Sequence, residues 1–420
     1  MGDILHYTVV TACWAGTRVV FELHIDGAER YRQHPSTLVV VNHKRDSDSV
    51  TVPPSLIFNG VRPIRPMWFA GREDMFVRGF LGLQPPVPRP LRPALARTNL
   101  GRVLHALHIL PVRRFPERTM HEAVDEFVRV YGDHALKAVL VPQQVEALAA
   151  AGRREGMLSD ALAWTHRRWW MQRATIRAFL PHWQERLAGR QRAVVDAQVQ
   201  ALAAVLTRGD NLYLAPEGVL SSDGRLQAFR AGFRRILTLT QAPLRWVPAA
   251  IVYDFIVPGR MRVFVTVGDE VPAAGSAADI EQEARRALAA LHVMTCSQIA
   301  SRVLWQRVGE GHDTVAVERF AAAVFDQAAA LRGSGVRVDH ALTGSDRRRR
   351  VDAYLAFLTR RGIALTNASE ILLDVPYLRR VPATNRQNPL RYAVNEIESV
   401  LEILREQGSG NKEQTTEDLQ

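Results

Sequence analysis

Cysteine is almost missing from this chain. Its 420 residues include two, Cys13 and Cys296, far apart in the sequence. So few thiols exclude a disulfide framework and a cysteine zinc site, and they suit a reducing cytoplasm. Long apolar runs are missing too. The stretch from Ile4 to Phe21 is broken by His6, Tyr7, Thr8, Thr11, Thr17 and Arg18, too polar for a spanning segment of about 20 apolar residues. It has neither a basic region ahead of it nor a small-residue cleavage site, so a signal peptide is not expected. Two readings of this segment stand open: a helix lying on a membrane interface, and a helix packed on the protein. Acidic charge is in short supply: 54 lysines and arginines face 43 aspartates and glutamates, a net charge of +11. Such a field attracts anions of many kinds and does not choose among them. Zinc-finger spacing, aromatic ribonucleoprotein motifs and an obvious helix-turn-helix are all lacking, so no nucleic-acid partner is expected.

What remains is an ordinary globular composition, 47% hydrophobic and 23% charged, long enough for two or three domains. Strand-like runs occur at Val19–Ile25, Thr37–Val41, Pro66–Gly71, Ile109–Val112, Asn211–Ala215, Leu244–Val252 and Met261–Val267. Thr37–Val41 is continuous and β-branched, as buried strands of parallel sheets are. Helical patterns lie between the strands, at Glu117–Tyr131 and Phe229–Thr240. The alternation predicts an α/β fold: a mixed, mostly parallel sheet flanked by helices. Residues 1–133 and 208–275 would form this domain. Residues 134–207 read as a long helical insertion, and residues 276–407 as a helical C-terminal domain with no further strand signal. Residues 408–420 read as a disordered tail.

Three short elements carry chemistry, each beside a predicted strand. In the first, Asn42-His43-Lys44-Arg45-Asp46-Ser47-Asp48, the spacing lets Asp48 fold back onto the His43 ring, fix its tautomer and support the imidazolium formed when it takes a proton. This is the base-and-orienter half of a triad without its serine, so the nucleophile would be a substrate hydroxyl. The second is Pro216-Glu217-Gly218, a turn at a strand's carboxyl end, where open α/β sheets bind ligands. It is followed by Phe229-Arg230-Ala231-Gly232. In the third, Arg113 and Arg114 leave a strand end, and arginine grips phosphate through two parallel hydrogen bonds.

Together these elements resemble the glycerol-3-phosphate and 1-acylglycerol-3-phosphate O-acyltransferases over roughly residues 15–270. Asn42, His43 and Asp48 match the first motif of that family, Arg113 the second, and Pro216, Glu217 and Gly218 with Phe229, Arg230 and Gly232 the third. Val247 and Pro248 match the fourth, and the order agrees. The resemblance implies direct transfer of a fatty acyl group from acyl-CoA or an acyl-carrier protein to a glycerol-phosphate hydroxyl. His43 would be the general base and Asp48 its orienter. Arg113, Glu217, Gly218 and Arg230 would hold the phosphate, supported by Asn42 and Pro216. It implies no metal and no bound cofactor, and a place in the cytoplasm, peripheral to the inner face of a membrane with anionic lipid. Two departures stand out. Val219-Leu220-Ser221 replaces the usual Thr-Arg-Ser after Pro-Glu-Gly, leaving Arg230, Arg234 and Lys44 as candidate substitutes for the missing arginine. The gap between the second and third motifs is also much longer than in the minimal enzymes.

Outside the motifs, Trp164, Trp169, Trp170 and Trp183 lie among arginines, a pairing used by interfacial helices; a helical hairpin packed on two sides is the alternative, since the stretch has no clean amphipathic face. Arg347–Arg350 is a run of four arginines at a predicted helix start, read as a solvated face, with contact to anionic lipid or an acyl-carrier protein as the alternative. Two other readings stay open: a catalytically inactive membrane-associated scaffold of the same fold, and an acyltransferase for another lysolipid acceptor. The sequence does not give the oligomeric state.

Overall fold

A computed structural model describes residues 2–58, 66–77, 79–83, 88–95, 98–113, 118–150, 152, 155–162, 167–256, 259–367 and 369–417. The chain is α/β, with a mixed, mostly parallel sheet flanked by helices and a helical C-terminal region. It divides into two compact units, one of residues 3–67 with 205–420 and one of residues 68–204. The break at 204/205 lies three residues from the boundary read from the sequence at 207/208, whereas the break at 67/68 matches none of the boundaries read there, at 133/134, 207/208 and 275/276.

In the first unit a helix, Gly2–Val20, leads into strand β1, Phe21–Asp26. The further strands are β2 (Thr37–Val41), β3 (Asn211–Leu214), β4 (Arg245–Asp254), β5 (Met261–Val267) and the short β6 (Val271–Pro272). Their order is β1-β5-β4-β2-β3, with β6 paired to β4. β2 lies parallel to both β3 and β4, whereas β5 runs antiparallel to β4 and carries β1 parallel to itself. Every residue of β2 is buried, which is why its sequence is an unbroken apolar run rather than an alternation. Val40 pairs with Leu214 and Val41 with Ala249. The carboxyl ends of β2 and β3 therefore lie level, with β4 continuing past them.

The C-terminal region has its own core, in which Leu304, Phe320, Tyr354, Leu358 and Ile397 are buried. The helical region expected from residue 276 begins with two helices, Ala277–Ala290 and Cys296–Glu310. Thr295 starts the second by accepting the Gln298 amide while the Gln298 side chain accepts the Thr295 amide, a capping box. The expectation that strands end near residue 275 is corrected. Thr314–Ala316, Glu370–Leu373 and Ala364–Thr366 form an antiparallel sheet with Glu370–Leu373 in the middle. These strands are three to four residues long, too short to leave a legible period. The last helix, Pro389–Glu417, runs into the segment expected to be a disordered tail. Its packed first half supplies the nucleus from which the polar half propagates. Residues 418–420 lie outside the described residues.

The second unit holds a parallel strand pair, Met67–Arg72 and Ile109–Val112, with Phe69 opposite Ile109. The helix Met120–Tyr131 follows, capped by Thr119 and Glu122. Met120, Val124 and Phe127 share one core with Leu136, Leu148, Phe179 and Leu187, so the stretch read as an insertion is continuous with the helix before it. Trp169 and Trp183 are 1% and 8% exposed in that core. Their indole nitrogens donate to Gln144 Oε1 and to the Ala138 carbonyl. The expected interfacial role is corrected for these two: a tryptophan with its body in a core and its N–H satisfied is a packing residue. Trp164 lies outside the described residues. No helix among the described residues is long and apolar enough to cross a membrane.

Candidate functional site

The level carboxyl ends of β2 and β3 explain how two motifs distant in sequence meet. His43 stands three residues past Val40, and Glu217 three past its partner Leu214. The His43 amide donates to Glu217 Oε1 at 2.7 Å, and the Gln227 amide donates to Glu217 Oε2 at 2.7 Å. Glu217 is fully buried. Burial pushes its carboxyl up from the usual range, while Lys44 and the two amides pull it back. Asn42 supports the same turn from the other side. Its amide nitrogen donates to the Ile251 carbonyl at 2.9 Å and its oxygen accepts the Ile251 amide at 2.8 Å, adding one side-chain rung where the β2 ladder has ended.

His43 Nδ1 lies 3.1 Å from Asp48 Oδ2. Asp48 opens the helix Asp48–Ile57 and is 1% exposed. The same oxygen accepts the amides of Lys44 at 2.6 Å and Arg45 at 2.9 Å. Tyr253, near the end of β4, donates its hydroxyl to Asp48 Oδ1 at 2.6 Å. Burial and the neighbouring Asp48 charge raise the Tyr253 hydroxyl far above its ordinary range, so it stays a donor. With Nδ1–H directed at Asp48, the Nε2 lone pair of His43 is left for another partner. The His43 side chain is 16% exposed. The arrangement can accept a proton and stabilise the resulting imidazolium.

Arg230 lies beside this turn. Its amide donates to the Pro216 carbonyl at 2.8 Å and its Nε to the Glu217 carbonyl at 3.3 Å, and the residue as a whole is exposed. Gly218 has φ +69°, and a Cβ there would sit 3.0 Å from Arg230 Cγ; glycine serves both the backbone angle and the close approach. The Arg45 guanidinium lies over the Tyr253 ring, 5.1 Å from its centroid. Pro216, Gly218 and Arg230 thus surround Glu217, as the sequence order suggests. Glu217 itself has both oxygens occupied by backbone amides and faces the turn.

The other named residues are each engaged with partners of their own. Lys44 turns inward and is buried against Gly224 and Glu396, which removes it as a substitute for the missing arginine. Arg234 pairs with Glu281. Arg113 belongs to the second unit and is 7% exposed. Its guanidinium donates to Glu73 at 2.7 and 3.0 Å and to Glu126 at 2.9 Å, so two carboxylates hold the positions a phosphate would take. In the arginine run, Arg348 pairs with Glu318 and Asp352, Arg347 covers the Phe325 ring and Arg350 lies 3.8 Å from Glu22. Three of the four are engaged within the chain. Sequence reasoning gave no role to Tyr253 or Glu396. Neither carries a local signal, because each reaches the site only through pairing distant in sequence.

The fold and site define a class, an α/β protein with a histidine–aspartate pair at the carboxyl end of a buried parallel strand. Comparison of the chain with models of known protein families and with curated protein sequences gives no match.

Close to Lys44 and Glu396 lies His292, 3% exposed, with its Nε2 2.9 Å from Gln298 Nε2. Burial pushes its pKa down to about 4, against a weaker upward pull from Glu396. His292 is therefore neutral in the fold, whereas an unfolded chain protonates it near pH 6.5. The depressed pKa of a base lowers stability as pH falls from about 6.5 towards 4, by up to about 3 kcal/mol. Urea midpoints measured across that window should fall in the native protein and fall less in His292→Gln. Parallel profiles would refute this account.

Proposed function

We propose that this protein is an O-acyltransferase moving a fatty acyl group from a thioester, acyl-CoA or acyl-carrier protein, to a hydroxyl of a glycerol phosphate such as glycerol 3-phosphate or 1-acylglycerol 3-phosphate. The observation that carries the reading is the His43–Asp48 pair. It is a base with its orienter buried, and Ser47, the serine within the element, lies 2.9 Å from the Tyr253 hydroxyl. His43 Nε2 takes the hydroxyl proton, and the oxygen attacks the thioester carbonyl. The new C–O bond forms as the C–S bond breaks, and His43 returns the proton to the departing thiolate. Arg230, an exposed residue beside the Gly218 turn, is the matched cation in the same unit as His43 and is suited to hold the phosphate. Ile4, Val19 and Val20, exposed at 73%, 76% and 59% on the first helix, support contact with the surface of a membrane, where lysolipid acceptors reside.

The test is thioester-dependent acylation of glycerol 3-phosphate, 1-acylglycerol 3-phosphate and dihydroxyacetone phosphate by the native protein and by His43→Ala. Activity on one acceptor should drop about a hundredfold or more in the variant, as loss of a general base requires. A folded native protein inactive on all three would overturn the reading in favour of a scaffold or a different acceptor.

A further inference from the structure

The loop after Pro216-Glu217-Gly218 is held by the last helix. Gly224 has φ +94°, and a Cβ there would lie 2.2 Å from the Tyr392 carbonyl oxygen, so loop and helix are in direct backbone contact. Asn395 donates its side-chain amide to the Asp223 carbonyl at 3.0 Å, and Ser399 Oγ accepts the Leu226 amide at 3.1 Å. At the surface, Arg225 and Glu402 approach to 3.4 Å. Tyr392, Asn395, Glu396, Ser399 and Glu402 recur at the spacing of one helix face. At its centre, Lys44 Nζ donates to the Gly224 carbonyl at 2.9 Å and lies 3.1 Å from Glu396 Oε1, with side chains 4% and 3% exposed.

A buried ion pair is a poor way to gain stability, because desolvating both charges roughly offsets their attraction. What it supplies is direction. The backbone of the same Lys44 donates to Asp48 Oδ2 at 2.6 Å, and that oxygen faces His43 Nδ1 at 3.1 Å. A shift of the lysine stem is therefore a shift of the amide that seats the orienting carboxylate. We propose that Lys44 and Glu396 are positioning residues: the pair they form sets the geometry of His43 and Asp48, making the last helix part of the reactive site. This rests on the reading of His43 as the base. Neither residue touches a substrate, so its effect falls on kcat and not on KM.

The experiment uses the full-length chain with Lys44→Met, Glu396→Gln and the double variant Lys44→Met/Glu396→Leu. The double variant replaces both charges by apolar groups of similar volume, so it keeps the fold if a single variant loses it. Two readouts are taken: kinetics on the acceptor that the native protein uses, and the tautomer of the His43 ring from its imidazole 15N shifts. The shifts are read in the alkaline range where imidazoles are neutral and assigned with His43→Gln. The expected result in the stable double variant is a kcat lowered about ten- to a hundredfold, KM within about twofold, and a mixed tautomer in place of Nδ1–H. An unchanged tautomer overturns the proposal whatever the rate. So does a double variant that regains both stability and full kcat, since the pair would then be structural alone. If the native protein transfers no acyl group but the tautomer loosens in the variants, positioning stands and the assigned reaction fails.

Discussion

Asp48→Asn is expected to lower acyl transfer by up to about ten-thousandfold, the loss caused by the same exchange at the orienting aspartate of a hydrolase triad, while the fold survives. The side chain has the same shape, and its four partners can nearly all be kept. An asparagine oxygen can still accept the amides of Lys44 and Arg45. Its NH2 can face the Tyr253 hydroxyl, which is able to turn and accept. What disappears is the negative charge beside the ring. Without it the imidazolium formed during proton transfer loses its support, although the asparagine oxygen that meets the two amides still faces Nδ1. Thermal unfolding followed by circular dichroism should move little, while single-turnover acyl transfer should collapse. A variant retaining a tenth or more of native kcat would mean that Asp48 only organises the turn.

Glu217→Ala should act the opposite way, through stability first. Its carboxylate satisfies the buried amides of His43 and Gln227, and its charge acts on the nearby buried Lys44. Stranding two buried donors costs about 1–3 kcal/mol each, so the variant should lose about 2–6 kcal/mol against urea. Glu217→Gln keeps one acceptor and should lose about half as much. A rise in KM for the phosphate-bearing acceptor with native stability would reverse the assignment and return Glu217 to the substrate.

The contrast between these residues shows what a sequence makes legible. His43 and Asp48 lie five positions apart on one turn, so their contact follows from local geometry. Thr37–Val41 and Met261–Val267 were readable to the residue, because a buried β-branched run bounded by polar residues has few other uses. Glu217 stood out as a residue, but its role did not. The amides that occupy it become neighbours only through the Val40–Leu214 register, and register is a property of the folded sheet. Tyr253 and Glu396 were silent for the same reason. Trp169 and Trp183 misled because a tryptophan beside arginines suits an interface and a core equally well until its N–H partner is known. The short strands of the C-terminal region left no period to read.

The contact between Lys44 and Glu396 also fixes an order in time. A ribosome makes the histidine loop early and the helix that seats it hundreds of residues later, tens of seconds apart at ordinary elongation rates of about 5–20 residues per second. Through that interval Lys44 lacks the Glu396 carboxylate that it is buried against, so the loop must stay in water and the reactive geometry must wait. The nascent chain is expected to be inert until its last helix has emerged. Any chain released before that helix would carry every motif of the site and none of its alignment.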